Sequence, residues 1–228
     1  SDENCDIFFF HSRDRGNSTS PEWRYNIWRY GRDHWRDIKA MIAYAHNTSP
    51  SGTPIYIAGI CAGAFHTLHA LKNMSNDEIH KYNVTGVIAD STMTSIYEMA
   101  RTAIPQAVTK NLEKHNWKNV ARAVRGGLHA IRYAIFLPFT YGLEMDTQIT
   151  QSTLQDIPVP ICFLHGTQDP YANIKHIRSL QRSNDELHEF NDGPYTSIHG
   201  VIHLKHQTEY QNILTRFIHT TSSRENQK

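Results

Sequence analysis

The stretch of residues 54–66 restricts the fold of this chain more than any other part of the sequence. An apolar run that favours β structure ends at Gly59, and Cys61 stands between that glycine and Gly63. Beyond Gly63 the apolar side chains recur every third residue, which is a helical spacing. The stretch therefore predicts a strand, a tight turn and a helix, with Cys61 at the apex. Because a strained turn needs small neighbours, Gly59 and Gly63 are both predicted to make room there.

The predicted position of Cys61, directly before a helix, suggests chemistry. The first amides of a helix have no acceptor inside it, and its positive dipole end favours a thiolate over a thiol. The amide of Ala62 is predicted to donate a hydrogen bond to an oxyanion formed at the site. The alternative is a structural cysteine buried in the turn, since free cysteine is among the most buried residue types.

Strand and helix patterns alternate along the rest of the chain. Near-continuous apolar strands separated by helices predict an α/β fold, with a mostly parallel sheet covered by helices on both faces. Besides the strand before Cys61, strands are predicted at residues 6–11, 84–89, 159–166 and 187–190, and helices at residues 23–46, 174–181 and 207–219.

Residues 92–155 interrupt this alternation, because they carry no strand pattern. Two helical stretches are predicted there, at residues 94–113 and 119–136. The chain is therefore predicted to consist of a core formed by residues 1–91 and 156–228, with residues 92–155 inserted as a helical lid. The lid is expected to lie over the carboxyl edge of the sheet, where open α/β folds bind ligands. The alternative is an ordinary layer helix followed by a long connection.

Three segments, in the order in which they occur, resemble the α/β-hydrolase superfamily. They are the elbow from Gly59 to Gly63, the segment from His165 to Asp169, and the segment from Gly200 to His203. The resemblance extends from residue 6 to about residue 218. A cysteine at the elbow is similar to dienelactone hydrolases. The helical insertion is similar to the lids of lipases, thioesterases and lysophospholipases.

This resemblance implies a triad of Cys61, His203 and Asp169. The chemistry agrees, because a thiol needs a base within hydrogen-bond reach, and the base needs a carboxylate on its other ring nitrogen. His203 is preferred because it follows a glycine by three residues and precedes the last helix, as in the superfamily. His206 is the alternative base, and Asp90, at the end of another strand, is the alternative acid.

Asp169 and the three histidines near the end of the chain also allow other interpretations. Asp169 also precedes a proline and is a candidate for a simple turn residue. His199, His203 and His206 lie close together in the sequence, but no cysteine or carboxylate at ligand spacing accompanies them, so no metal site is predicted.

The composition bears on the class of protein but does not identify a substrate. The formal net charge of +1 gives no electrostatic argument for nucleic acid or membrane binding, and no apolar run reaches the length of a membrane span. Three scattered cysteines do not form a disulfide framework and favour a reducing, cytoplasmic setting. No cofactor is predicted, and the oligomeric state is left open.

The resemblance also implies about three strands ahead of residue 6, one of which leads to a second oxyanion amide. No segment for them is found, so the sheet is expected to lack the first strands of the fold. The predicted function is hydrolysis or acyl transfer on an ester or thioester of a small molecule, through an acyl-cysteine intermediate. The alternative is a catalytically inactive, hydrolase-like domain that binds a ligand or a protein partner.

Overall fold

Strands and helices alternate along the part of the chain that the computed structural model describes, namely residues 6–10, 33–95, 148–169, 171–191 and 199–225. The strands are β1 (Ile55–Ile60), β2 (Val84–Asp90), β3 (Ile161–Gly166) and β4 (Glu186–Phe190). The helices are α1 (Trp35–Thr48), α2 (Ala62–Lys72), α3 (Asn76–Lys81), α4 (Gln151–Gln155), α5 (Ile174–Arg178), α6 (Ile202–Lys205) and α7 (Gln207–Glu225). None of the helices in these ranges combines the length and the apolar character that a bilayer crossing requires.

The four strands form one parallel sheet in the order β1-β2-β3-β4. Every residue of the two central strands, β2 and β3, is buried, whereas β1 and β4 at the ends are partly exposed. This confirms the predicted parallel sheet flanked by helices, because a strand is buried along its whole length only where both faces of the sheet are covered. All four carboxyl ends lie along one edge.

Helices cover both faces of the sheet. On one face, Phe65 and Leu68 of α2 belong to the same buried cluster as Val87 and Phe163 of the central strands. On the other face, Phe217 of α7 lies in a second cluster, with side chains from β2, β3 and β4. Burying one such large side chain stabilises the fold by about 1.5–3 kcal/mol.

The predicted strand at residues 6–11 is wrong for the residues that the structure describes. Residues 6–10 form no strand and are exposed, with Phe9 at 90%. The apolar run has the local preference of a strand, but β structure requires a pairing partner that local preference does not supply.

The last helix is longer than predicted. It continues to Glu225 rather than ending near residue 219. The hydroxyl of Tyr56 on β1 lies 3.1 Å from the carbonyl oxygen of Ile218 and 2.8 Å from the hydroxyls of Thr221 and Ser222. These long-range bonds fasten the polar end of α7 to the sheet.

Several predicted helices fall wholly or partly outside the described residues. Of the segment 23–46, the described part is helical from Trp35, and helix α1 continues to Thr48. The two predicted lid helices lie outside the described residues, apart from residues 94 and 95.

The two glycines of the turn differ in their surroundings. A β-carbon at Gly59 would lie 2.5 Å from the backbone nitrogen of Ala64 and 2.6 Å from the carbonyl carbon of Gly63, so the strand and helix meet closest there. A β-carbon at Gly63 would meet nothing within 4 Å. The close approach therefore depends on Gly59, and the predicted steric role of Gly63 is wrong.

Alanine at these two positions should have unequal effects. Gly59→Ala forces one backbone segment away from another and is expected to lower the free energy of unfolding by roughly 1–3 kcal/mol or more. Gly63→Ala is expected to stay within about 1 kcal/mol of the wild type, because alanine is the better helix former. Urea denaturation followed by circular dichroism measures both. Equal transition midpoints for the two variants would contradict this assignment.

Candidate active site

Cys61 occupies a strained turn between β1 and α2. Its backbone has φ 54° and ψ −117°, a conformation that residues with a side chain rarely adopt. The N–H of Cys61 donates to the carbonyl of Asp90 at 2.8 Å, and its carbonyl accepts from the N–H of Phe65 at 3.1 Å. The turn is therefore joined to the end of β2 on one side and opens α2 on the other.

The sulfur of Cys61, the ring of His199 and the carboxylate of Asp169 form a continuous line of hydrogen-bond contacts. The Nε2 atom of His199 lies 2.9 Å from Cys61 Sγ, and its Nδ1 atom lies 2.6 Å from Oδ2 of Asp169. A carboxylate only accepts, so Nδ1 of His199 carries a proton. The ring is held with Nε2 directed at the sulfur.

Asp169 is fixed by the backbone as well as by the histidine. Its Oδ1 atom accepts hydrogen bonds from the N–H groups of Tyr171 at 2.8 Å and Ala172 at 3.1 Å. Its side chain is fully buried just beyond the end of β3. Asp169 thus forms the turn and orients the histidine, so the two interpretations of this residue are compatible.

The charges around His199 favour its protonated form. Burial by itself would lower the pKa of His199, but hydrogen bonds to Asp169 and Cys61, with the charges of both, raise it to about 10. The ring of Tyr171 packs against the imidazole, with 4.9 Å between the ring centres. At neutral pH the site is therefore set up for an imidazolium beside the sulfur.

A second histidine near Asp169 stays neutral. Burial lowers the pKa of His165, and its Nε2 lies 2.9 Å from the carbonyl oxygen of Ala172, to which it donates. The same nitrogen is 3.8 Å from Oδ2 of Asp169. The negative charge of Asp169 is therefore balanced by His199.

The histidine beside the sulfur is His199, and not the predicted His203. His203 lies on α6, where its ring centre is 6.0 Å from that of Tyr210 and its buried Nδ1 has no hydrogen-bond partner. The ring of His206 packs on Phe190, at 5.0 Å. Neither histidine contacts Cys61 or Asp169, so the predicted contact between His203 and Asp169 is replaced by one from His199.

His199 reaches the sulfur in place of His203 because of the path of the backbone around Gly200. This residue has φ +66°, which turns the chain sharply between His199 and the start of α6 at Ile202. A histidine before that turn reaches the edge of the sheet, while His203 on the helix after it faces another neighbour. A histidine followed directly by a glycine was the signal available in the sequence.

The other predicted site residues lie near the turn. Ala62 is the first residue of α2, so its N–H has no acceptor inside the helix, and its oxyanion role stays a prediction. Asp90, the alternative acid, is buried and accepts a hydrogen bond from the hydroxyl of Ser91 at 2.7 Å. It does not bond His199, and burial raises its pKa.

Away from Cys61, three side chains of the types that bind metal ions lie close together among the described residues. Side chains of Cys162, Glu186 and His188 offer ligand atoms within 4.8 Å of one another. The guanidinium of Arg216 lies 3.2 Å from the Glu186 carboxylate and 3.3 Å from Nε2 of His188. Since this cation already neutralises the carboxylate, Glu186 of β4 forms an ion pair with Arg216 of α7, and Cys162 lies beside them on β3.

A cavity of about 380 Å³ borders the elbow on the β1 side. It is lined largely by apolar residues, among them Phe8, Phe10, Ile57 and Ile60. Cys61 itself does not line it, so this cavity adjoins the turn without containing the thiol.

Known proteins resemble this chain in fold. No family model matches the sequence, and the comparison with curated proteins found no match. An esterase of Pyrococcus furiosus superposes with a TM-score of 0.58 at 14% identity, over 92% of this chain and 68% of the esterase. In another crystal form of that esterase the TM-score is 0.54, over 84% of this chain and 62% of the esterase.

A lipase-esterase related protein from Clostridium acetobutylicum has a TM-score of 0.53 at 12% identity, over 89% of this chain and 79% of that protein. The chain thus spans about two thirds of the length of the Pyrococcus esterase. These similarities show that the chain has the α/β-hydrolase fold. At such low identity they extend to the fold alone, because one fold supports many functions.

Proposed function

We propose that this protein is a hydrolase or acyltransferase that acts on esters or thioesters through an acyl-cysteine intermediate. The observation that carries the proposal is the continuous line from Asp169 through His199 to Cys61, with contacts of 2.6 Å and 2.9 Å. Nucleophile, base and orienting acid stand in the geometry that covalent acyl transfer requires. They also stand at the carboxyl edge of a parallel sheet, where ligands bind.

The first half of the reaction acylates the sulfur. The thiolate of Cys61 attacks the carbonyl carbon of the substrate, a carbon–sulfur bond forms, and the carbonyl oxygen becomes an oxyanion. The N–H of Ala62 donates to that oxyanion. When the tetrahedral intermediate collapses, the bond to the leaving alcohol or thiol breaks, and the leaving group takes the proton from Nε2 of His199.

The second half restores the enzyme. His199, now neutral, accepts a proton from a water molecule or an acceptor alcohol as that molecule attacks the acyl-cysteine. The carbon–sulfur bond then breaks, releasing the product and leaving the thiolate beside the imidazolium. Asp169 keeps the ring in one tautomer throughout and stabilises its charge.

The proposal includes a lid within residues 92–155, formed by the part of the segment between Thr94 and Ile149, because Ile149 and Leu154 belong to the buried core cluster. The N–H of Ile149 donates to the carbonyl of Thr94 at 2.7 Å, so the chain leaves and re-enters the described fold at nearly one point. Insertions whose ends lie close together are typical of added domains. Thr94 lies four residues beyond the end of β2, so the segment begins at the edge that carries Cys61.

A screen of p-nitrophenyl and coenzyme A esters of graded acyl length tests the proposal. The expected result is release of the leaving group, with a mass increase equal to the acyl group on the peptide that contains Cys61. Turnover retained in Cys61→Ala, or an adduct on another residue, would contradict the covalent mechanism. No turnover and no adduct with any ester would favour a domain that only binds a ligand or partner.

A further inference from the structure

The dipeptide Asp90-Ser91, at the end of β2, touches both loops of the site. The carbonyl of Asp90 accepts the N–H of Cys61 at 2.8 Å. The hydroxyl of Ser91 accepts the N–H of Gly200, the residue after His199, at 3.0 Å. Both residues of the dipeptide are fully buried. One short segment is therefore bonded to the nucleophile on one side and to the histidine loop on the other.

The hydroxyl of Ser91 has a fixed orientation. It donates to Oδ1 of Asp90 at 2.7 Å, so its lone pairs are left to face Gly200. The N–H of Ser91 donates to the carbonyl of Leu164 at 2.8 Å, which ties its backbone to β3. Ser91 itself has φ +52°, a conformation that serine adopts only under constraint from its surroundings.

We infer that Ser91 is a positioning residue, whose hydroxyl, oriented by Asp90, holds the ring of His199 at hydrogen-bond distance from the sulfur of Cys61. This inference rests on the proposed function for its catalytic meaning. The hydrogen bond to Gly200 acts on the backbone, next to the residue whose ring must be placed. Displacement of a reacting group by about 1 Å lowers rates about 10²-fold, so one bond at this point matters.

The test compares variants by alkylation of Cys61 with iodoacetamide between about pH 5 and pH 10, with mass spectrometry identifying the modified cysteine. In the wild type, Cys61 should react well below pH 8, because Nε2 of His199 lies 2.9 Å from the sulfur, where an imidazolium pairs with the thiolate. His199→Gln gives the profile of a site without the imidazolium. No substrate is needed for this measurement.

Ser91→Ala should move the alkylation profile toward that of His199→Gln and slow the reaction near pH 6 by about tenfold. On the best ester, kcat should fall by about 10- to 100-fold with KM within about twofold. Ser91→Gly also lacks the hydroxyl but tolerates the positive φ, and it replaces the alanine variant if that one does not fold. Circular dichroism melting establishes folding.

The matched control is Thr92→Val, which removes a buried hydroxyl from the next residue. That hydroxyl donates to the carbonyl of Met93 at 3.3 Å. The control should keep the wild-type alkylation profile. Wild-type profiles in the folded Ser91 variants would overturn the positioning role, as would an equal shift in Thr92→Val. Failure of the wild-type Cys61 to react below pH 8 would instead count against the proposed function.

Discussion

Cys61→Ala is expected to lower kcat on an ester by about 10⁶-fold, which is the scale of losing the nucleophile in related triads. Without the sulfur, no carbon–sulfur bond forms, and only the binding site and the oxyanion donor are left. The fold should persist, because alanine fits the same turn and bears the same backbone conformation, with φ 54°. Initial rates and intact-protein mass before and after incubation with the ester measure the effect.

Cys162→Ala is the matched control for the nucleophile. The Cys162 thiol is fully buried on β3, and burial, with the nearby charge of Glu186, raises its pKa to about 12, so it does not supply a thiolate at neutral pH. This variant should keep its turnover and its acyl adduct. Turnover retained in Cys61→Ala, or lost in a folded Cys162→Ala, would show that the reaction does not pass through Cys61.

Asp169→Asn is expected to lower kcat by roughly 10³–10⁴-fold with little change in KM. The two backbone amides of Tyr171 and Ala172 require an oxygen at the position of Oδ1. The asparagine therefore places its NH₂ group against Nδ1 of His199. Two donors then face each other unless the ring takes the other tautomer, which puts a proton on Nε2 while removing the stabilising negative charge.

The double variant Asp169→Asn with His199→Gln tests whether the two residues act as a unit. If Asp169 acts through His199, the double variant should be no slower than His199→Gln alone. Independent, multiplying losses would contradict that coupling. A folded Asp169→Asn variant within tenfold of the wild type would also remove Asp169 from the proposed mechanism.

Local sequence patterns were sufficient to predict the central part of this fold. Strands β2 and β3 are buried on both faces, so most of their positions are apolar or small, and these runs were visible in the sequence. The turn at Cys61 was visible for a similar reason, because a strand, a glycine and a helical spacing follow one another directly. Asp169, which contacts the ring of His199, was singled out because it stands just beyond a strand whose end was clear.

Features that depend on contacts between distant segments could not be predicted from local sequence patterns. Residues 6–10 have the composition of a strand but no pairing in the sheet, and pairing is a property of two segments. The close contact at Gly59 and the open space at Gly63 follow from how the helix lies on the strand. Two glycines in one motif cannot be told apart before that packing is known.

The choice among three histidines shows the same limit most clearly. His199, His203 and His206 are close in sequence, and each has the right chemistry for a base. Which ring reaches the sulfur depends on the turn at Gly200 and on its hydrogen bond to Ser91, more than a hundred residues earlier in the chain. Residue types and order follow from local chemistry, but the placement of a ring to within an ångström follows from long-range bonds that only the folded chain brings together.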